Sequence, residues 1–99
     1  MSHKWQILYH PEIEKDLAAI GKSRARRAIK AIEEKLTTEP EKFGSPLRKE
    51  LAGLRKLRTG DIRIVYRVEK KRIEVYIIVV GRGADNDVYK QAIARKRLR

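Results

Sequence analysis

Residues 54–66 read LRKLRTGDIRIVY. Two short runs flank Thr59-Gly60, which has the composition of a tight turn because glycine adopts positive φ at little cost. With those two residues as the loop, Arg58 faces Asp61, Leu57 faces Ile62 and Lys56 faces Arg63. Side chains alternate across a strand. Leu57, Ile62, Ile64, Tyr66 and Val68 therefore share one face. Lys56, Arg58, Arg63 and Arg67 share the other, with Val65 among them. Like charges placed opposite one another are destabilising, so Lys56 across from Arg63 predicts an anion between them.

Outward from the hairpin, the chain of 99 residues is the size of one small domain, and 41% apolar residues suffice for a modest core. There is no cysteine, so disulfide and thiolate chemistry are excluded and a reducing cytoplasm is the expected compartment. No apolar run approaches the roughly 20 residues of a membrane span, and the first residues lack the apolar stretch of a signal peptide. The net charge is +12. Residues 48–72 hold ten Lys/Arg against three Asp/Glu, and residues 90–99 hold five against none. Cationic excess concentrated on a hairpin and a tail points to a polyanionic partner such as RNA, DNA or an acidic protein.

Before the hairpin, Lys4 to Tyr9 reads as a strand with Trp5, Ile7 and Tyr9 on one face. His10-Pro11 opens a helix whose apolar stripe is Ile13, Leu17, Ala18 and Ile20, stopped by Gly21. A second helix runs from Ser23 to Leu36 on Ala25, Ala28, Ile29, Ile32 and Leu36. Its first turns are basic, the wrong sign for the helix dipole. That charge serves either solubility or an external anion. Thr37 to Gly53 is a connector with one helical turn bringing Leu47 and Leu51 together. After the hairpin, Arg72 to Val80 is a strand apolar on both faces, with Ile73, Val75, Ile77 and Val79 opposite Tyr76, Ile78 and Val80. Gly81 to Asp87 is a loop, and Val88 to Arg99 a short basic helix. The expected fold is a single α+β domain over 1–99: two N-terminal helices on one face of a mainly antiparallel four-stranded sheet, the other face open and cationic, and a basic tail at 90–99.

Metal and cofactor chemistry find no support. His3 and His10 have no companion ligands, and Gly81-Arg82-Gly83-Ala84-Asp85-Asn86 lacks the full pattern of a phosphate loop. What remains is Lys56, Arg63, Arg82 and Tyr89. RNA carries its own nucleophile, the 2′-OH, so cleavage needs alignment, charge stabilisation and proton transfer. Arginine and lysine supply the second, and a phenol among cations can supply the third. On the residues alone, an RNA-binding module explains this set as economically as an enzyme, and a tyrosine placed like Tyr89 is more often an anchor for a terminal helix than an acid or base.

The segments Pro46 to Gly53, Lys56 to Tyr66, Val80-Gly81-Arg82 and Asp87-Val88-Tyr89 together resemble the RelE/ParE family of type II toxins. The resemblance implies the compact RelE-like α+β domain and a toxin that cuts mRNA in the ribosomal A site by 2′-OH attack, leaving a cyclic phosphate and a 5′-OH. It implies catalytic roles for Lys56, Arg63, Arg82 and Tyr89, with Lys49, Arg55, Arg58, Arg67, Lys90 and Arg95 holding mRNA and ribosomal RNA. No cofactor and no membrane are implied. The partner would be a RelB-like antitoxin with an acidic segment, and operator DNA would be met only through that complex. Two family cations are missing: Leu54 stands where a second hairpin lysine is found, and Gly83 where an arginine is frequent. The alternatives are a ParE-like DNA gyrase inhibitor without RNase activity, or a weakly active RNA-binding relative.

Overall fold

The computed structural model describes residues 4–96. The start of the chain, including His3, and the last three residues of the basic tail lie outside the described residues. Five strands form one mixed sheet in the order β1-β5-β4-β3-β2. They are β1 (Gln6–Tyr9), β2 (Ser45–Pro46), β3 (Leu54–Thr59), β4 (Ile62–Glu69) and β5 (Glu74–Arg82). β1 runs parallel to β5, while β2, β3, β4 and β5 are antiparallel neighbours. The two-residue β2, which the sequence pattern does not signal, brings the strand count to five.

Helices α1 (Ile13–Ile20) and α2 (Lys22–Ala31) pack on one face, and α2 continues into a π-helical turn at Ile32–Leu36. Gly21, at φ 90°, ends α1 and starts α2, so Ser23 lies inside the helix and is not its cap. α1 begins two residues after Pro11, where the Glu12 amide donates to His10 Nδ1 at 3.0 Å. On α1 it is Asp16, and not Ala18, that turns inward. The core beneath these helices contains Ile13, Ala28, Ile32, Leu36, Leu57, Ile62, Ile64, Tyr66, Val75 and Ile77. The hairpin residues assigned to the apolar face by alternation are all in or against it.

The opposite face is not open. Helix α3 (Asp85–Lys96) and a 3-10 turn at Lys49–Leu51 cover part of it with a second core of Leu51, Leu54, Val65, Ile78, Val79, Val88 and Ala92. α3 starts three residues earlier than the sequence suggests. Asp85 and Asp87 occupy its first turn, and Arg95 and Lys96 its last, as the helix dipole favours. Gly81 permits the close approach, since a Cβ there would sit 3.0 Å from Val88 Cγ2.

Two departures in register shape the site. The hairpin loop is Gly60-Asp61, so Arg58 pairs with Arg63 and Lys56 with Val65. Gly60 at the first loop position provides the positive φ, 62°, that the turn requires. The slip is by two along the partner, which leaves every face assignment of the hairpin intact. The second departure is a β-bulge. Val65 pairs with Val79 and Tyr66 with Ile77, so Ile78 is an extra residue. Ile78 and Val79 both turn to the α3 side, and Val80 turns to the α1/α2 side, reversing the expected alternation beyond Ile78.

Candidate active site

Lys56 leaves β3 on the α3 face, with Arg63 on β4 beside it. Alternation fixes that shared face, and α3 brings Tyr89 and Asp85 over it. Lys56 Nζ donates to Tyr89 OH at 2.9 Å and to Asp85 Oδ2 at 2.9 Å, and lies 5.4 Å from the Tyr89 ring centroid. Arg63 Nε donates to Asp85 Oδ1. A lysine, an arginine and a phenol thus meet around one carboxylate. The Lys56 and Arg63 side chains are only 16% and 13% exposed, against 38% for Asp85. The Tyr89 hydroxyl and then the Asp85 carboxylate hold the Lys56 ammonium above its ordinary value. Lys56, aided by Arg63, holds the Asp85 carboxyl below the usual range despite the opposing pull of burial.

Beside this cluster is an open cleft of about 490 Å³, lined by Pro46, Leu47, Lys49, Leu51, Lys56, Arg58 and Tyr89 among others. Next to the cleft, Gly44 lets the connector pack closely on β3. At φ 75°, a Cβ there would fall 2.7 Å from Tyr66 OH and 2.8 Å from the Lys56 carbonyl oxygen. Lys49 and Arg58 are exposed on the cleft rim, and Lys90 is exposed on α3.

The remaining cations are differently placed. Arg82 pairs across the sheet with Ile62, on the α1/α2 side, and its Nε is 3.9 Å from Asp61 Oδ2. The bulge at Ile78 is the reason: without the extra residue, position 82 would share a face with Lys56 and Arg63. Arg24 of α2 reaches the same Asp61 at 2.9 Å and Arg27 at 3.8 Å, so the basic start of α2 meets an anion within the chain. Arg55 does not face the cleft. Its guanidinium donates to the carbonyls of Glu41 at 2.9 Å and Gly44 at 3.1 Å, fastening the connector. Arg67 stacks over the Tyr76 ring at 5.2 Å.

Arg95 is the clearest reversal. Its guanidinium makes a bidentate pair with Asp16, at 2.7 and 2.8 Å, and donates to the Ile78 carbonyl at 2.9 Å. Asp16 Oδ2 also accepts from the Val80 amide at 3.0 Å. The pair is largely buried, at 12% and 8% exposed, and it binds α3 to α1 across the bulge. A guanidinium so occupied is not free for a phosphate. Asp85 and Asp16, the two carboxylates that organise these cations, carry no signal in the sequence beyond their charge.

Comparison with known proteins agrees with this architecture. The family described as "ParE toxin of type II toxin-antitoxin system, parDE" matches residues 7–87. Toxin RelE of Mycobacterium tuberculosis is 29% identical over 80 residues, covering 81% of this chain and 82% of that protein. Toxin RelG of the same organism is 42% identical over 50 residues, covering 50% of this chain and 58% of that protein. Among solved structures, a chain of the M. tuberculosis toxin–antitoxin complex RelBE2 superposes with a TM-score of 0.78 at 27% identity, covering 86% of this chain and 98% of its own. The free Escherichia coli toxin RelE, carrying two arginine-to-alanine substitutions, superposes at 0.72 with 24% identity, over 93% and 97%; at that identity the likeness is one of fold. By family, by relatives and by fold, the chain belongs to the RelE/ParE superfamily of type II toxin–antitoxin toxins.

Proposed function

We propose that the protein is a ribosome-dependent endoribonuclease that cleaves mRNA in the A site. The observation that carries this reading is the convergence of Lys56, Arg63 and Tyr89 at the cleft, with Lys56 Nζ 2.9 Å from Tyr89 OH. In the reaction, the 2′-oxygen attacks the adjacent phosphorus, the bond to the 5′-oxygen breaks, and a cyclic phosphate and a 5′-OH result. Lys56 and Arg63 take the charge that grows on the non-bridging oxygens, in a setting where little solvent competes. Tyr89, hydrogen-bonded to an ammonium, passes a proton to or from a reacting oxygen. Lys49, Arg58 and Lys90 contact phosphates outside the reacting one. Arg82 acts on the far side of the hairpin tip, and Arg55 and Arg95 act through the fold.

The working compartment is the cytoplasm, where mRNA and ribosomes are met. Among the described residues no helix is long and apolar enough to cross a membrane. The partner is a RelB-like antitoxin, a reading supported by the M. tuberculosis toxin–antitoxin complex RelBE2, and an acidic segment of it would meet the cationic face. Operator DNA is met only through that pair.

One observation favours a second reading, a DNA gyrase inhibitor without RNase activity: Arg82 stands with Arg24 and Asp61 and adds nothing to the Lys56–Arg63 pair. Induced expression followed by growth measurement, mapping of mRNA 5′-ends and trapping of cleaved-DNA complexes separates the two. The first reading expects new in-frame 5′-ends that vanish in Arg63→Ala. The second expects cleaved-DNA complexes and no such ends.

A further inference from the structure

Asp85 divides its carboxylate between the two cations, Oδ2 on Lys56 Nζ at 2.9 Å and Oδ1 on Arg63 Nε. One oxygen per cation is also how the two non-bridging oxygens of a phosphodiester would meet the same pair. Both cationic side chains are largely withdrawn from water, and a desolvated charge is costly unless an opposite charge accompanies it. Asp85 supplies that charge in the resting protein. It is itself more than a third exposed and is the first residue of α3. Val88 and Ala92, which seat that helix on the sheet, lie beyond it. Its side chain can therefore turn to water without undocking α3.

We propose that Asp85 is an internal competitor for the anion seat: its carboxylate fills the place of a substrate phosphate and leaves when that phosphate enters. This rests on the reading of Lys56 and Arg63 as phosphate ligands, and not on cleavage. Entry exchanges one anion for another, so an isolated phosphate gains little. A long polyanion, which adds contacts at Lys49 and Arg58 outside the seat, gains enough to displace the carboxylate. Asp85 thereby favours extended nucleic acid over free phosphate and mononucleotides.

The test is titration of inorganic phosphate into the full-length protein at constant ionic strength, followed at the Tyr89 backbone amide resonance, which every variant below retains. Asp85→Asn keeps the shape of the side chain and removes its charge. Its phosphate affinity is expected to rise at least about tenfold over wild type, the smaller end of what removing a close charge produces. Arg63→Ala in the Asp85→Asn background should abolish the gain. Equal or weaker phosphate binding in Asp85→Asn overturns the proposal and makes Asp85 a permanent brace for Lys56. A gain that survives Arg63→Ala overturns it equally. Should Asp85→Asn not fold, the wild type decides: at saturating phosphate the Asp85 side-chain carboxyl carbon should shift toward that of a solvated aspartate, and an unmoved signal refutes displacement. Failure of the nuclease reading looks different, since wild type would then give no A-site cleavage, or Arg63→Ala the same cleavage as wild type, whatever the phosphate titrations show.

Discussion

At the scale of single residues, the account turns on Lys56 and Arg63 sharing a face with Tyr89 above them. Removing one preorganised donor from a site of this kind costs about 10²–10³-fold in rate. Arg63→Ala should lower single-turnover cleavage on translating ribosomes by that amount, while circular dichroism reports a folded chain. Acid stability offers a separate check on Asp85. Its folded-state pKa lies below its unfolded value, so its contribution is present above the ordinary carboxylate range and is lost as pH falls through the folded pKa. Urea melts should therefore show wild type more stable than Asp85→Asn near neutrality, with the gap closing below about pH 4. A gap independent of pH would deny the carboxylate its charge. The faces of Lys56 and Arg63 were legible because alternation along a strand survives an error in the turn. Asp85 was not legible, because nothing local marks a carboxylate that meets an arginine 22 positions away.

At the scale of elements, the two apolar faces of β5 correctly mark a strand buried on both sides, between β1 and β4. Alternation along it fails at Ile78, since an inserted residue in a strand apolar on both faces leaves no trace in the pattern. That single residue moves Arg82 from the Lys56 face to the Asp61 side. The Asp16–Arg95 pair secures the region by joining α1, α3, the Ile78 carbonyl and the Val80 amide. Removing one partner of such a buried pair costs about 3–5 kcal/mol. Asp16→Ala should lose stability of that order in chemical denaturation, and cleavage should fall with it because α3 carries Tyr89. Asp16→Ala with wild-type stability would mean that the pair does not hold the helix.

At the scale of the whole molecule, a charge of +12 suits a polyanionic partner but does not say which cations would meet it. Composition cannot distinguish Lys49, exposed on the cleft rim, from Arg95, buried against Asp16. Salt dependence can. Each phosphate contact to a single strand adds about 0.7 to the slope of log affinity against log salt. Lys49→Gln and Arg58→Gln should each reduce that slope by about this much, whereas Arg55→Gln and Arg95→Gln should leave it unchanged and lower thermal stability. The most direct measurement is the mapping of mRNA 5′-ends on translating ribosomes mixed with wild-type protein or Arg63→Ala. New 5′-hydroxyl ends at A-site codons with wild type, absent with Arg63→Ala, are the predicted result; no ends with wild type, or the same ends with both, would contradict it.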